Sequence, residues 1–105
     1  MSIIYSPMFK CLEAVCMLSH ARHLRRTLGN RASAKAQRQL NKMEFKAENL
    51  AGEAGYDAAS RGMSAQVPSC IQSFRVLANA FLAEHAQVTD HQRFQRDASA
   101  PSKRS

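Results

Sequence analysis

Residues 36–54 read AQRQLNKMEFKAENLAGEA, and their spacing decides the fold. Ala36, Leu40, Met43, Ala47, Leu50 and Ala54 recur at alternating intervals of four and three residues. That repeat lays an apolar seam along one side of an α-helix, the pattern of a helix packed lengthwise on a neighbour. Half of the seam is alanine, so the neighbouring backbone can come close. Phe45, Gly52 and Tyr56 fall on a different side. Gly52 and Gly55 each weaken a helix by about 1 kcal/mol relative to Ala. The helix is expected to start near Asn30 or Ser33 and to fray after Ala54 or continue weakly to Ala59.

Upstream, Ser6-Pro7 supplies an N-cap and a proline at the first helical position. Gly29-Asn30 follows Leu28, with Arg25 and Arg26 placed against the negative end of the helix dipole. A first helix over residues 7–28 follows. Its first half is apolar nearly all round (Met8, Phe9, Cys11, Leu12, Val15, Cys16, Met17, Leu18) and is expected to be the more deeply buried. Its second half narrows to Met17, Ala21, Leu24 and Leu28. Downstream, residues 60–66 read as a connection, and Val67-Pro68-Ser69 opens a third helix running to about His91 or Phe94. Its seam is Val67, Ile71, Phe74, Ala78, Phe81, His85 and Val88, widened by Cys70, Leu77 and Leu82.

The expectation is all-α: a small three-helix protein, with an antiparallel helical hairpin and a third amphipathic helix packed across it. Residues 1–95 form one helical domain, and residues 96–105, polar and small, read as a disordered, flexible basic tail. Composition agrees. Ile, Val and Thr total only nine of 105 residues, too few for a sheet. Seventeen alanines and no tryptophan leave a modest core, which points to self-association or a partner-bound helical assembly.

The chain carries a formal net charge of +7, unevenly spread. Residues 1–43 hold eight Lys or Arg and one acid, Glu13, whereas residues 44–105 hold seven of each sign. A basic half beside a neutral half points to an acidic partner. Arg31, Lys35, Arg38, Lys42 and Lys46 fall within an arc of about 80° on a helix, some 120° from the apolar seam. Both faces can therefore be used at once. Arg22, Arg25 and Arg26 add charge at the end of the first helix.

The leading expectation is a non-catalytic intracellular protein-binding module: an adaptor, chaperone or small inhibitor. It would engage an acidic or helical protein partner, or a second copy of itself, through Phe9, Leu12, Phe74, Leu77 and Phe81. The basic residues would form the rim, where charge sets encounter rate and register. The alternative is a nucleic-acid-binding protein contacting phosphates through the basic stripe of residues 22–46. No aromatic residue interleaves that stripe except Phe45 at its edge, so no stacking platform for single strands is visible.

Other chemistries have less to stand on. Cys16, His20 and His23 share one helix face, but Cys16 and His23 are separated by about 10 Å of rise, too far to chelate one ion together. No metal or cofactor is expected. His85 could titrate near pH 6, or simply hydrogen-bond at the edge of a core. No nucleophile-base pair, carboxylate pair or phosphate loop is present, so no catalysis is expected. An odd number of cysteines without regular spacing suggests free thiols in a reducing, cytoplasmic setting. The apolar run from Ile3 to Leu18 is interrupted by Pro7, Lys10 and Glu13 and does not suit a membrane span. Ile3-Ile4-Tyr5 is expected to dock on the third helix or on another chain.

Overall fold

The structure is a computed structural model that describes residues 6–98, with the side chains of residues 7–92. Four helices follow one another: α1 (Ser6–Leu28), α2 (Ala34–Ser60), α3 (Ser69–Gln72) and α4 (Arg75–Ala98), with a 3₁₀ turn at Gly29–Arg31 between the first two. No strand occurs among the described residues. The helical class expected from composition is what the chain adopts.

The hairpin has clear local causes. Gly29 takes φ 55°, a left-handed conformation that closes α1 and that other residues adopt at a cost. Ser33 then caps α2: its Oγ accepts a hydrogen bond from the Ala36 N–H at 3.1 Å. At the far end, Gly62 takes φ 75°. Its N–H donates to the Ala59 carbonyl, and the Met63 N–H donates to the Ala58 carbonyl. This paired return satisfies carbonyls that the helix end would otherwise leave open. α2 therefore runs through Ser60, within one residue of the longer of the two ends expected from the sequence.

α1 and α2 are antiparallel. Lys10 bonds Glu53 and Asp57, while Arg25, fifteen residues on, bonds Gln37, Asn41 and Glu44. α2 is the central element, since both α1 and α4 pack lengthwise on it. α4 runs in the same direction as α2: Gly52 lies beside Ala80 and Glu84, Gly55 faces Phe81, and Met63 meets His85.

That arrangement corrects the third helix in two ways. It is divided into α3 and α4, and α4 lies along α2 instead of across the hairpin. No glycine or proline marks the division at Ser73-Phe74. The reason is tertiary: α3 packs on α1, while α4 packs on α2, and one straight helix cannot serve both. The Phe74 carbonyl opens α4 by accepting from the N–H groups of Leu77 and Ala78. Residues 96–98, assigned to a tail from sequence, continue α4. Residues 99–105 and Ile3-Ile4-Tyr5 lie outside the described residues.

The core contains Cys11, Ala14, Leu18 and Ala21 from α1, and Leu40, Ala47, Ala51, Ala54, Ala58 and Ala59 from α2. Ile71, Leu77 and Phe81 complete it and are its largest fully buried side chains. The buried α2 seam runs 40, 47, 51, 54, 58: Leu40, Ala47 and Ala54 fall where the sequence pattern placed them, while Ala51 takes the buried place expected of Leu50, which is only partly buried. Gly52 and Gly55 form a second buried face of α2, against α4. A β-carbon on Gly55 would collide with the Phe81 backbone carbonyl. The closeness of α2 and α4 therefore depends on that glycine.

Candidate functional site

Two surfaces carry residues expected to bind a partner. The first is the hairpin end, formed by the last turns of α1, the 3₁₀ turn and the first half of α2. Residues 22–46 hold eight Lys or Arg and one acid, Glu44, so the +7 of this segment equals the charge of the whole chain.

The structure divides those cations by role. Arg25 is half-buried and fully engaged. Its Nε donates to Glu44 Oε2 at 2.8 Å, Nη1 to Gln37 Oε1 at 2.9 Å, and Nη2 to Asn41 Oδ1 at 2.5 Å and Glu44 Oε1 at 3.2 Å. The Glu44 carboxylate raises the pKa of Arg25. Arg25, expected in the binding set, instead clamps α1 to α2 and consumes the only acid of the segment. Arg22 is exposed, with its guanidinium carbon 5.7 Å from the centroid of the Phe74 ring, a cation–π contact. Arg26, Arg31, Lys35, Arg38, Lys42 and Lys46 are all exposed, and no acid among the described residues pairs with them. Phe45, at 64 % exposure, lies at the edge of this stripe.

The second surface is apolar and lies toward the other end of α1. Phe9 is 57 % exposed and Leu12 48 %, with Met8 beside them. Met8 also lines a cavity of about 550 Å³, whose wall includes Pro7, Met63, Val67 and Pro68 and whose floor is Phe81. Some 15 Å of helix rise separates Leu12 from Arg22, so the two surfaces are neighbours without merging.

The residues expected to form one apolar docking face are not brought together. Phe9 and Leu12 are on the surface, although their half of α1 was expected to be the deeply buried one. Phe74 is half-buried under Arg22. Leu77 and Phe81 are buried, at 0 % and 1 % exposure, and belong to the core instead of to a docking face. The physical reason is that α4 turns its strongest seam onto α2, where an alanine- and glycine-rich surface admits large side chains. Sequence reasoning missed Met8 and the cavity, because the cavity wall comes from α1, the connection after α2 and α4 together.

Two further polar side chains, Lys10 and His85, join elements of the fold. Lys10 donates to Asp57 at 2.9 Å and lies 3.4 Å from Glu53, and the Asp57 carboxylate raises its pKa. His85 is buried, stacks on Phe81, and donates from Nε2 to the Met63 carbonyl at 2.8 Å. It thus fastens the connection after α2 to α4. Cys16, His20 and His23 are all exposed on α1, and the described residues contain no group of three metal-ligating side chains. No helix among them is long and apolar enough to cross a membrane. No protein-family model, curated protein or solved structure matches this chain.

Proposed function

We propose that this chain is a non-catalytic binding protein of the adaptor, chaperone or inhibitor kind, engaging a helical protein partner that carries acidic residues. One observation carries the reading. Met8, Phe9 and Leu12 stand exposed beside an apolar cavity, on the same helix whose other end joins an unpaired basic surface. An amphipathic acidic helix laid along α1 would cover the apolar strip, seat a side chain in the cavity and reach the cations. Charge would steer encounter and register, and the apolar strip would supply affinity. The free thiols fit a reducing, cytoplasmic setting.

Nucleic acid is the second reading. It is favoured by six exposed cations at the hairpin end without internal partners. It leaves the apolar strip without a role.

The test is titration of the full chain with two probes: an acidic amphipathic helical peptide and a mixed-sequence DNA duplex. Saturable peptide binding that falls about tenfold or more in Phe9→Ser/Leu12→Ser supports the protein reading. Duplex binding that ignores those substitutions, is lost in Arg38→Glu/Lys42→Glu and falls steeply with salt supports the second. Light scattering at low and high salt, with absorbance at 260 and 280 nm, reports self-association and co-purifying nucleic acid.

A further inference from the structure

Two of the three free thiols meet inside the fold. Cys11, fully buried on α1, shares one apolar cluster with Cys70, half-buried on α3, and the two thiols interact there, whereas Cys16 faces solvent. Cys11 and Cys70 both pack in the apolar cluster that includes Ile71. We propose that Cys11 and Cys70 are a reversible thiol-oxidation site, closing to an intramolecular disulfide that staples α1 to α3.

The two cysteines lie on different elements, 59 positions apart in sequence, and the packing of α3 on α1 holds them together. No unfolding is needed to bring them into contact. Their exposures differ in a way that orders the chemistry. Cys70 is partly exposed, so a soluble disulfide meets it first, whereas Cys11 has no exposed surface.

With a small disulfide such as oxidised glutathione as the oxidant, the Cys70 thiol gives its proton to solvent and its thiolate attacks one glutathione sulfur. The glutathione S–S bond breaks and one glutathione thiolate leaves. The Cys11 thiol likewise gives up its proton, and its thiolate attacks the Cys70 sulfur. The Cys11–Cys70 bond forms and the second glutathione thiolate is expelled. Two electrons pass from the protein to the glutathione disulfide, and the two released thiolates take up two protons. Excess thiol reverses both steps.

Closure would fix α3 against α1. It would also fix the segment around Val67 and Pro68, which walls the apolar cavity. The proposal is independent of what the cavity binds.

The experiment uses the full chain carrying Cys16→Ser, treated with oxidised glutathione at pH 8. In this variant the tryptic peptide 11–22 contains Cys11 alone, and peptide 62–75 contains Cys70. The expected result is a monomer lighter by about two hydrogens, with peptides 11–22 and 62–75 joined, and a Tm raised by at least about 5 °C. Dithiothreitol should return both the mass and the Tm. Cys70→Ser, at a half-buried position, should keep the fold and abolish the joined peptides and the Tm rise. Persistent glutathione on Cys70, dimers linked through either cysteine, or a disulfide that forms only in denaturant would overturn the proposal.

Discussion

Gly55 and Gly52 are one turn apart on the same face of α2, yet their substitutions should have opposite signs. At Gly55 an added β-carbon meets the Phe81 carbonyl, which α4 cannot withdraw without leaving α2. Gly55→Ala should therefore destabilise by about 2 kcal/mol or more, despite the helix propensity gained. At Gly52 the nearest atom is Glu84 Cγ, 3.1 Å away on a flexible side chain that can move. Gly52→Ala should stabilise by about 0.5–1 kcal/mol. Urea unfolding of the two variants checks both signs.

Cys11 makes a second residue-level prediction. Burial pushes its thiol from 9.0 up to about 12. Between those values the unfolded chain releases this proton and the folded chain keeps it. Stability is therefore whole below about pH 9 and falls above it, by about 1.4 kcal/mol per pH unit from this group alone. Cys11→Ala should show a shallower loss of stability between pH 9 and 11. Lys10 titrates in the same alkaline range in both proteins and cancels from the comparison.

Among the elements, α1 and α4 divide the large apolar side chains between surface and core. Phe81 and Leu77 on α4 are buried, and Phe9 and Leu12 on α1 are not. Phe81→Ala should cost about 3–5 kcal/mol. Phe9→Ser and Leu12→Ser should each change stability by no more than about 0.5 kcal/mol. Thermal unfolding distinguishes the two sets, and the result decides which substitutions can be used in binding experiments. A polar residue at Phe81 would report on folding, not on a docking face. The seam of α4 was legible in the sequence at Phe74, Phe81, His85 and Val88, but a seam shows only that a face is covered. It does not say whether the cover is the same chain or another.

For the whole molecule, charge is the dominant asymmetry. The +7 of residues 22–46 lies at the end of the hairpin, where Arg25 and Glu44 form the only ion pair among the described residues of that segment. Like charges crowded there oppose the close approach of α1 and α2. Raising ionic strength from 0.01 to 0.15 M shortens the screening length from about 30 to about 8 Å and should raise Tm by roughly 2–4 °C. Arg38→Glu/Lys42→Glu should reduce that salt dependence while leaving the fold intact, since both side chains are exposed. A melt at the two salt concentrations reads both effects.

The sequence alone determined the helical class, the ends of α1 and the basic stripe, and left the start of α2 between Asn30 and Ser33. Each is a local property: a 3.6-residue period, a proline or glycine at a helix end, a run without acids. The tertiary structure decided the rest. It carried α2 past Gly52 and Gly55, because the close approach of α4 turns two weak helix formers into a contact surface. It broke the third helix at Ser73-Phe74, because α3 and α4 serve different neighbours. It withdrew Leu77 and Phe81 into the core, left Phe9 and Leu12 outside, and assigned Arg25 to Glu44. These outcomes depend on which residues meet across elements, and no local pattern of residues encodes that pairing.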